Sequence, residues 1–139
     1  MEKNYQRTGL SLMNFYSICT QESSLRKHAI GIENKDDVGL CQINKHTYRY
    51  FHDIGIVEEE WDVDKMKSIE YNIKVSSLIL EKYRKDLKRR FPGAEKDFID
   101  MLLIESYNKG VGGSVVQLRK QEMEYYISVI KWNKIWRSI

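Results

Sequence analysis

Apolar residues recur at helical spacing along most of this chain. Leu12, Phe15 and Cys19, flanked by Met13 and Tyr16, set out an amphipathic helix over about residues 8–24, with Thr8 as its N-cap. From Arg26 to Asn44 that period is lost: Gly31, Asn34, Asp36, Asp37 and Gly39 are turn formers, and Ile30, Ile32, Val38 and Ile43 predict short strands or an extended loop. Helical spacing returns near Asp64. Met66, Ile69, Ile73, Ser76, Leu80, Tyr83 and Leu87 form a core-facing stripe of about six turns, which Phe91-Pro92-Gly93 breaks. The following segment, Ala94 to Asn108, holds the consecutive apolar run Met101-Leu102-Leu103-Ile104. Such a run exceeds one amphipathic face, so this helix is expected at the centre, contacted on several sides. Gly110, Gly112 and Gly113 predict its end, and a last helix over about residues 115–136 carries Tyr126, Ile127, Ile130 and Trp136. No repeat or linker interrupts the chain. The expectation is one domain spanning residues 1–139, mainly α, with a short irregular β or loop region after the first helix.

Composition sharpens this picture. A chain of 139 residues can bury a core without metal or disulfide help. With 42% apolar residues and a single proline, collagen-like, low-complexity and disordered readings fall away. No apolar run approaches the roughly 18 residues of a membrane span, and no apolar segment with a small-residue cleavage site follows the basic start Met1 to Arg7, so neither a membrane span nor a secretory signal is expected. The net charge of +3 permits an anionic partner without demanding one. Acidic Glu58, Glu59, Glu60, Asp62 and Asp64 precede the long stripe and basic Lys82 to Arg90 close it, a polarity that the helix dipole explains by itself. This basic stretch and the basic last helix read as solvated faces, or as surfaces against anionic polymers. Cys19 and Cys41 are too few for a zinc cluster and read as small buried hydrophobes; they can approach each other, and pairing would need an oxidising compartment. His28, His46 and His52 lack ligand spacing, so no metal site and no cofactor are expected.

Three fragments carry candidate chemistry. Glu22-Ser23-Ser24 closes the first helix, where a glutamate near apolar residues can lose solvent, gain a raised pKa and become a general acid at neutral pH. In Gly39-Leu40-Cys41-Gln42-Ile43-Asn44, polar Gln42 and Asn44 alternate with Cys41 and Ile43, so one set faces a cleft while the other packs inward. Ser106-Tyr107-Asn108-Lys109-Gly110 places an aromatic ring and an amide at a helix end, groups suited to stacking on and bonding to a sugar. Each alone is unremarkable: a helix-end acid, a turn, an Asn-Gly helix stop.

The ordered set resembles the soluble lytic transglycosylase (SLT) domain, related to the goose-type lysozymes, with its pattern of ES, GLMQ and AYNAG. Glu122 to Ile130 (EMEYYISVI) is similar to the closing stretch of that family. The resemblance implies an α+β lysozyme-like fold and cleavage of the β-1,4 bond between N-acetylmuramic acid and N-acetylglucosamine in peptidoglycan. Glu22 matches the catalytic glutamate, Gln42 the substrate-contacting glutamine, and Tyr107 with Asn108 the pair lining the cleft. Ser23, beside the acid, is expected to orient it or a substrate N-acetyl group. Asn44 stands where goose-type enzymes carry an aspartate. Glu105 stands where small residues are usual; two positions before Tyr107, it is about 200° round the helix and points away from the cleft.

One carboxyl suffices for a transglycosylase because the nucleophile, the 6-hydroxyl of muramic acid, belongs to the substrate. A hydrolase needs a second group to activate water, and Asp36 and Asp37 are the candidates. The transglycosylase is the favoured reading, with the goose-type hydrolase as its alternative. A helical nucleic-acid-binding module is disfavoured, because the basic residues are spread over two helices and no aromatics interleave with them. A catalytically silent glycan-binding protein is disfavoured by Glu22. The expected partner is therefore the peptidoglycan glycan strand, with no nucleic acid, and the expected state a monomer. Without a recognisable leader, the expected setting is a phage-encoded or virion-borne enzyme made in the host cytoplasm and acting on the wall.

Overall fold

The computed structural model describes residues 2–24, 26, 29–31 and 36–138. The expected roles of His28, Ile32 and Asn34 lie outside the described residues. Seven helices and one small hairpin are assigned among them: α1 (Glu2–Gln6), α2 (Leu12–Ser23), β1 (Asp37–Val38), β2 (Ile43–Asn44), α3 (Lys45–Asp53), α4 (Val63–Met66), α5 (Ile69–Arg90), α6 (Lys96–Lys120) and α7 (Glu124–Arg137). The fold is mainly α. Strands β1 and β2 pair antiparallel with Asp37 opposite Asn44, and Ile30 adds a single bridge to Val38.

Several boundaries differ from the sequence expectation for local reasons. Helix α2 begins at Leu12, not near Thr8, because the Ser11 hydroxyl accepts the Asn14 N–H and so forms the cap. Thr8 is instead buried, its hydroxyl donating to the Tyr5 carbonyl and accepting the Leu10 N–H. The long stripe is two helices, since the Ser68 hydroxyl caps a fresh start at Ile69. Helix α6 does not end at its glycines: only Gly110 leaves helical geometry (φ 74°, ψ 166°), a conformation open to glycine, and the chain resumes its helix after this kink. The break falls later, at Gln121 (φ 58°), so the last helix starts at Glu124. Its inward residues are Tyr125, Val129 and Asn133, whereas Ile127 is exposed.

Two cores result, and α5 serves both. Ile73, Leu80 and Leu87 face a helical core with Phe15, Ile18, Leu102, Leu103, Ile104 and Val129, drawn from α2, α6 and α7. Val75 and Ile79 face a second core with Val38, Ile43, Tyr48, Phe51 and Met66, drawn from the hairpin, α3 and α4. The central placement expected for α6 is seen: Ile99 and Leu102 through Ser106 are all buried. Arg84 is not part of a solvated basic face. It is buried, bonding to the Thr8 carbonyl and pairing with Asp100, which Lys96 also meets at 2.6 Å.

Candidate active site

The loop between β1 and β2 is anchored from several directions, and this anchoring sets the site. Asn72, fully buried on α5, accepts the Cys41 N–H at 2.8 Å and donates to the carbonyls of Val38 (3.1 Å) and Met66 (2.8 Å). Both its amide hydrogens and its carbonyl oxygen are thus engaged with backbone, as burial requires. Gly39 (φ +90°) passes so close that a Cβ there would collide with the Asn72 amide and the Met66 carbonyl, so no other residue fits. Tyr107 donates its hydroxyl to the Cys41 carbonyl at 2.5 Å. Cys19 and Cys41, both fully buried, are joined as a disulfide with Cα atoms 4.2 Å apart. They are thus a covalent tie between α2 and the loop, not two separate small hydrophobes.

Glu22, three residues beyond Cys19, lies in a cavity of about 280 Å³ with Asp37, Gln42, Ile43, Asn44, Thr47, Ile79, Tyr107 and Asn108. The helical half of the molecule provides Glu22, Tyr107 and Asn108; the hairpin side provides the others apart from Ile79 of α5, which separates the two cores. Burial raises the Glu22 pKa to about 7, the Tyr125 hydroxyl bonding to Oε2 at 2.8 Å pulls it down, and the nearby charge of Asp37 pushes it up. The carboxyl therefore exchanges its proton near neutrality, as a group that must both give and take one requires.

The other sequence candidates divide. Gln42 holds a left-handed backbone (φ 50°), and its amide nitrogen donates to the carbonyls of Ala29 (2.9 Å) and Gly39 (3.0 Å), leaving its carbonyl oxygen as the group available to a ligand. Asn44 has two tasks at once: Oδ1 caps α3 through the His46 and Thr47 N–H groups, and Nδ2 donates to Asp37 Oδ1 at 2.8 Å. Asp37 is thereby fixed in the cleft. Asp36 is not among the cleft residues and stands 3.8 Å from His46 as an exposed pair. Ser23 is also absent from the cleft. Its buried hydroxyl bonds to the Leu40 carbonyl, so it holds the loop behind Glu22 and does not face a substrate.

Tyr125 is the residue that sequence reasoning missed. The signal was its spacing with Val129 and Asn133, four apart on one face of α7, which is the face packed toward α2. Thr47 and Ile79 are further cleft residues without a sequence signal of their own. A second cavity of about 250 Å³, lined by Arg7, Glu58, Tyr71 and Lys74 among others, gathers none of the candidates. Among the described residues no group of His, Cys, Asp and Glu is arranged to hold a metal ion, and no helix is long and apolar enough to cross a membrane.

No curated protein and no solved structure matches the chain. The family model described as Transglycosylase SLT domain matches residues 1–128. Membership of that family implies lytic transglycosylase activity on peptidoglycan and a mainly α, lysozyme-like fold. A match covering nearly the whole chain, on a fold that gathers Glu22, Gln42, Tyr107 and Asn108 in one cleft, identifies this protein as a member of the SLT transglycosylase domain family.

Proposed function

We propose that the protein cleaves the β-1,4 bond between N-acetylmuramic acid and N-acetylglucosamine, with Glu22 as the single acid and base. The observation that carries this reading is the Glu22 carboxyl, sheltered in one cleft with Gln42, Tyr107 and Asn108, where burial pushes its pKa up to about 7. Protonated Glu22 gives its proton to the glycosidic oxygen as the C1–O bond breaks, and the N-acetylglucosamine side leaves with a free 4-hydroxyl. The carboxylate so formed faces an oxocarbenium-like sugar. It then takes the proton of that sugar's own 6-hydroxyl, whose oxygen bonds to C1 and closes a 1,6-anhydro ring. Glu22 ends protonated, ready for the next bond. No water is consumed.

The surrounding groups suit a sugar ligand. The Tyr107 ring, held by its hydroxyl bond to Cys41, offers an apolar face, and the Asn108 amide and the Gln42 carbonyl oxygen offer polar contacts. Asn44 acts mainly through Asp37. Asp37 itself favours a second reading, the hydrolytic goose-type lysozyme, because this carboxylate shares the cleft and is oriented toward it by Asn44; Asp36, paired with His46, is the weaker candidate. The Cys19–Cys41 disulfide supports a place of action outside a reducing cytosol.

Mass spectrometry of muropeptides released from purified peptidoglycan separates the two. Anhydro products, about 18 Da lighter than their hydrolytic counterparts, are expected from the transglycosylase, and reducing-end products from the lysozyme. Release of neither class contradicts both.

A further inference from the structure

We infer that Glu105 is a positioning residue for this reaction, holding the start of α7 so that the Tyr125 hydroxyl stays on Glu22; the inference rests on the role given to Glu22 above. Glu105 is a carboxyl in the middle of the molecule, with none of its surface exposed. It lies on α6 two residues before Tyr107, yet it takes no part in the cleft and is turned toward α7.

The N-terminus of α7 lacks a cap of its own. Met123 occupies the capping position and has no side-chain oxygen to accept the first N–H groups. Glu105 supplies that oxygen from another helix: Oε2 accepts the Tyr126 N–H at 3.1 Å. Tyr126 is the third residue of the helix, and its N–H is one of the donors that an N-cap side chain normally satisfies. A carboxyl at the positive end of a helix also gains from the dipole.

The residue just before the one so held is Tyr125, in the same first turn, and its hydroxyl meets Glu22 Oε2 at 2.8 Å. The chain Glu105, α7 N-terminus, Tyr125, Glu22 thus links a buried acid with no contact to the cleft to the group that moves the proton. The surroundings of Glu105 are mixed: burial raises its pKa, the Tyr126 N–H and Lys109 lower it, and Glu124 raises it. Burial first, then Glu22 and Tyr107, and least of all Glu105 make ionisation of the Tyr125 hydroxyl harder, which keeps that group a donor. Among the described residues Oε1 has no partner, so nothing but the α7 backbone engages this carboxyl by hydrogen bonding.

The test is a kinetic cycle on solubilised peptidoglycan with the wild-type protein, Glu22→Gln, Glu105→Ala, Glu105→Gln, Tyr125→Phe and the Glu105→Ala/Tyr125→Phe pair. Glu105→Ala is expected to lower kcat by about tenfold with KM within about twofold, since substrate contacts are untouched while the proton donor's geometry is loosened. Glu105→Gln keeps an acceptor oxygen and is expected to recover most of that loss. The double variant is expected to be no slower than Tyr125→Phe alone, because both changes remove the same support. If Glu105→Ala does not fold, the cycle is run with Glu105→Gln, whose smaller loss is likewise expected to vanish beside Tyr125→Phe. Unchanged kcat in Glu105→Ala, or losses that multiply in the double variant, overturn the inference alone when cleavage still requires Glu22. A wild-type protein that cleaves nothing, or a Glu22→Gln variant of full activity, overturns the role of Glu22 and this inference with it.

Discussion

Glu22 owes its chemistry to neighbours of opposite effect. Burial and Asp37 favour the neutral acid, and Tyr125 favours the carboxylate. Asp37→Asn is therefore expected to move the alkaline limb of kcat/KM to lower pH, and Tyr125→Phe to move it higher while slowing the reaction; pH–rate profiles of the two variants check the opposed signs. Glu22→Gln itself is expected to cost about 10²–10⁴ in rate on the same substrate. At this scale the shared cleft of Glu22, Gln42, Tyr107 and Asn108 was legible, because each residue type is tied to a motif, while their roles belong to the proposal. The sequence was misleading for Ser23, because a serine next to an acid does not reveal which way its hydroxyl turns; here it turns inward to Leu40. Tyr125 escaped because it sits about a hundred residues from Glu22 and only the packing of α7 on α2 joins them.

Among the elements, the hairpin loop governs whether the site assembles. Gly39→Ala forces a side chain into the Asn72 amide and the Met66 carbonyl in a left-handed backbone, and is expected to destabilise the fold by about 2–4 kcal/mol in denaturant titration. The disulfide closes a separation of 22 residues, for which loop entropy gives about 3 kcal/mol; reduction is expected to lower Tm and the activity together, since the bond joins the Glu22 helix to the Gln42 loop. The stripe of α5 was plain from spacing, because its apolar positions persist over many turns. Helix α3 was not foreseen, as its inward face amounts to Tyr48 and Phe51 within a polar stretch; its cap, Asn44, was the available signal. The glycines of α6 predicted a stop, and only Gly110 takes a conformation that breaks a helix.

For the whole molecule, placing the reactive carboxyl between two cores has an energetic consequence. Native Glu22 binds its proton up to about pH 7, against 4.5 for an unperturbed glutamate. The native state therefore holds more protons than the unfolded chain across that window, so this group's contribution to stability is full below about pH 4.5 and is lost as pH rises through 7. Glu105, raised by burial, adds in the same sense. Glu22→Gln is thus expected to match the wild type in stability at pH 4 and to exceed it at pH 8, by about 3 kcal/mol at most, as equilibrium unfolding at the two pH values would record. That a site group reduces stability at working pH is consistent with a residue retained for chemistry. The central claim reduces to the proton affinity of one side chain. Carbon-13 NMR titration of the Glu22 carboxyl, assigned by comparison with Glu22→Gln, measures it directly: a midpoint near 7 is the predicted result, and a midpoint near 4.5 would contradict the account.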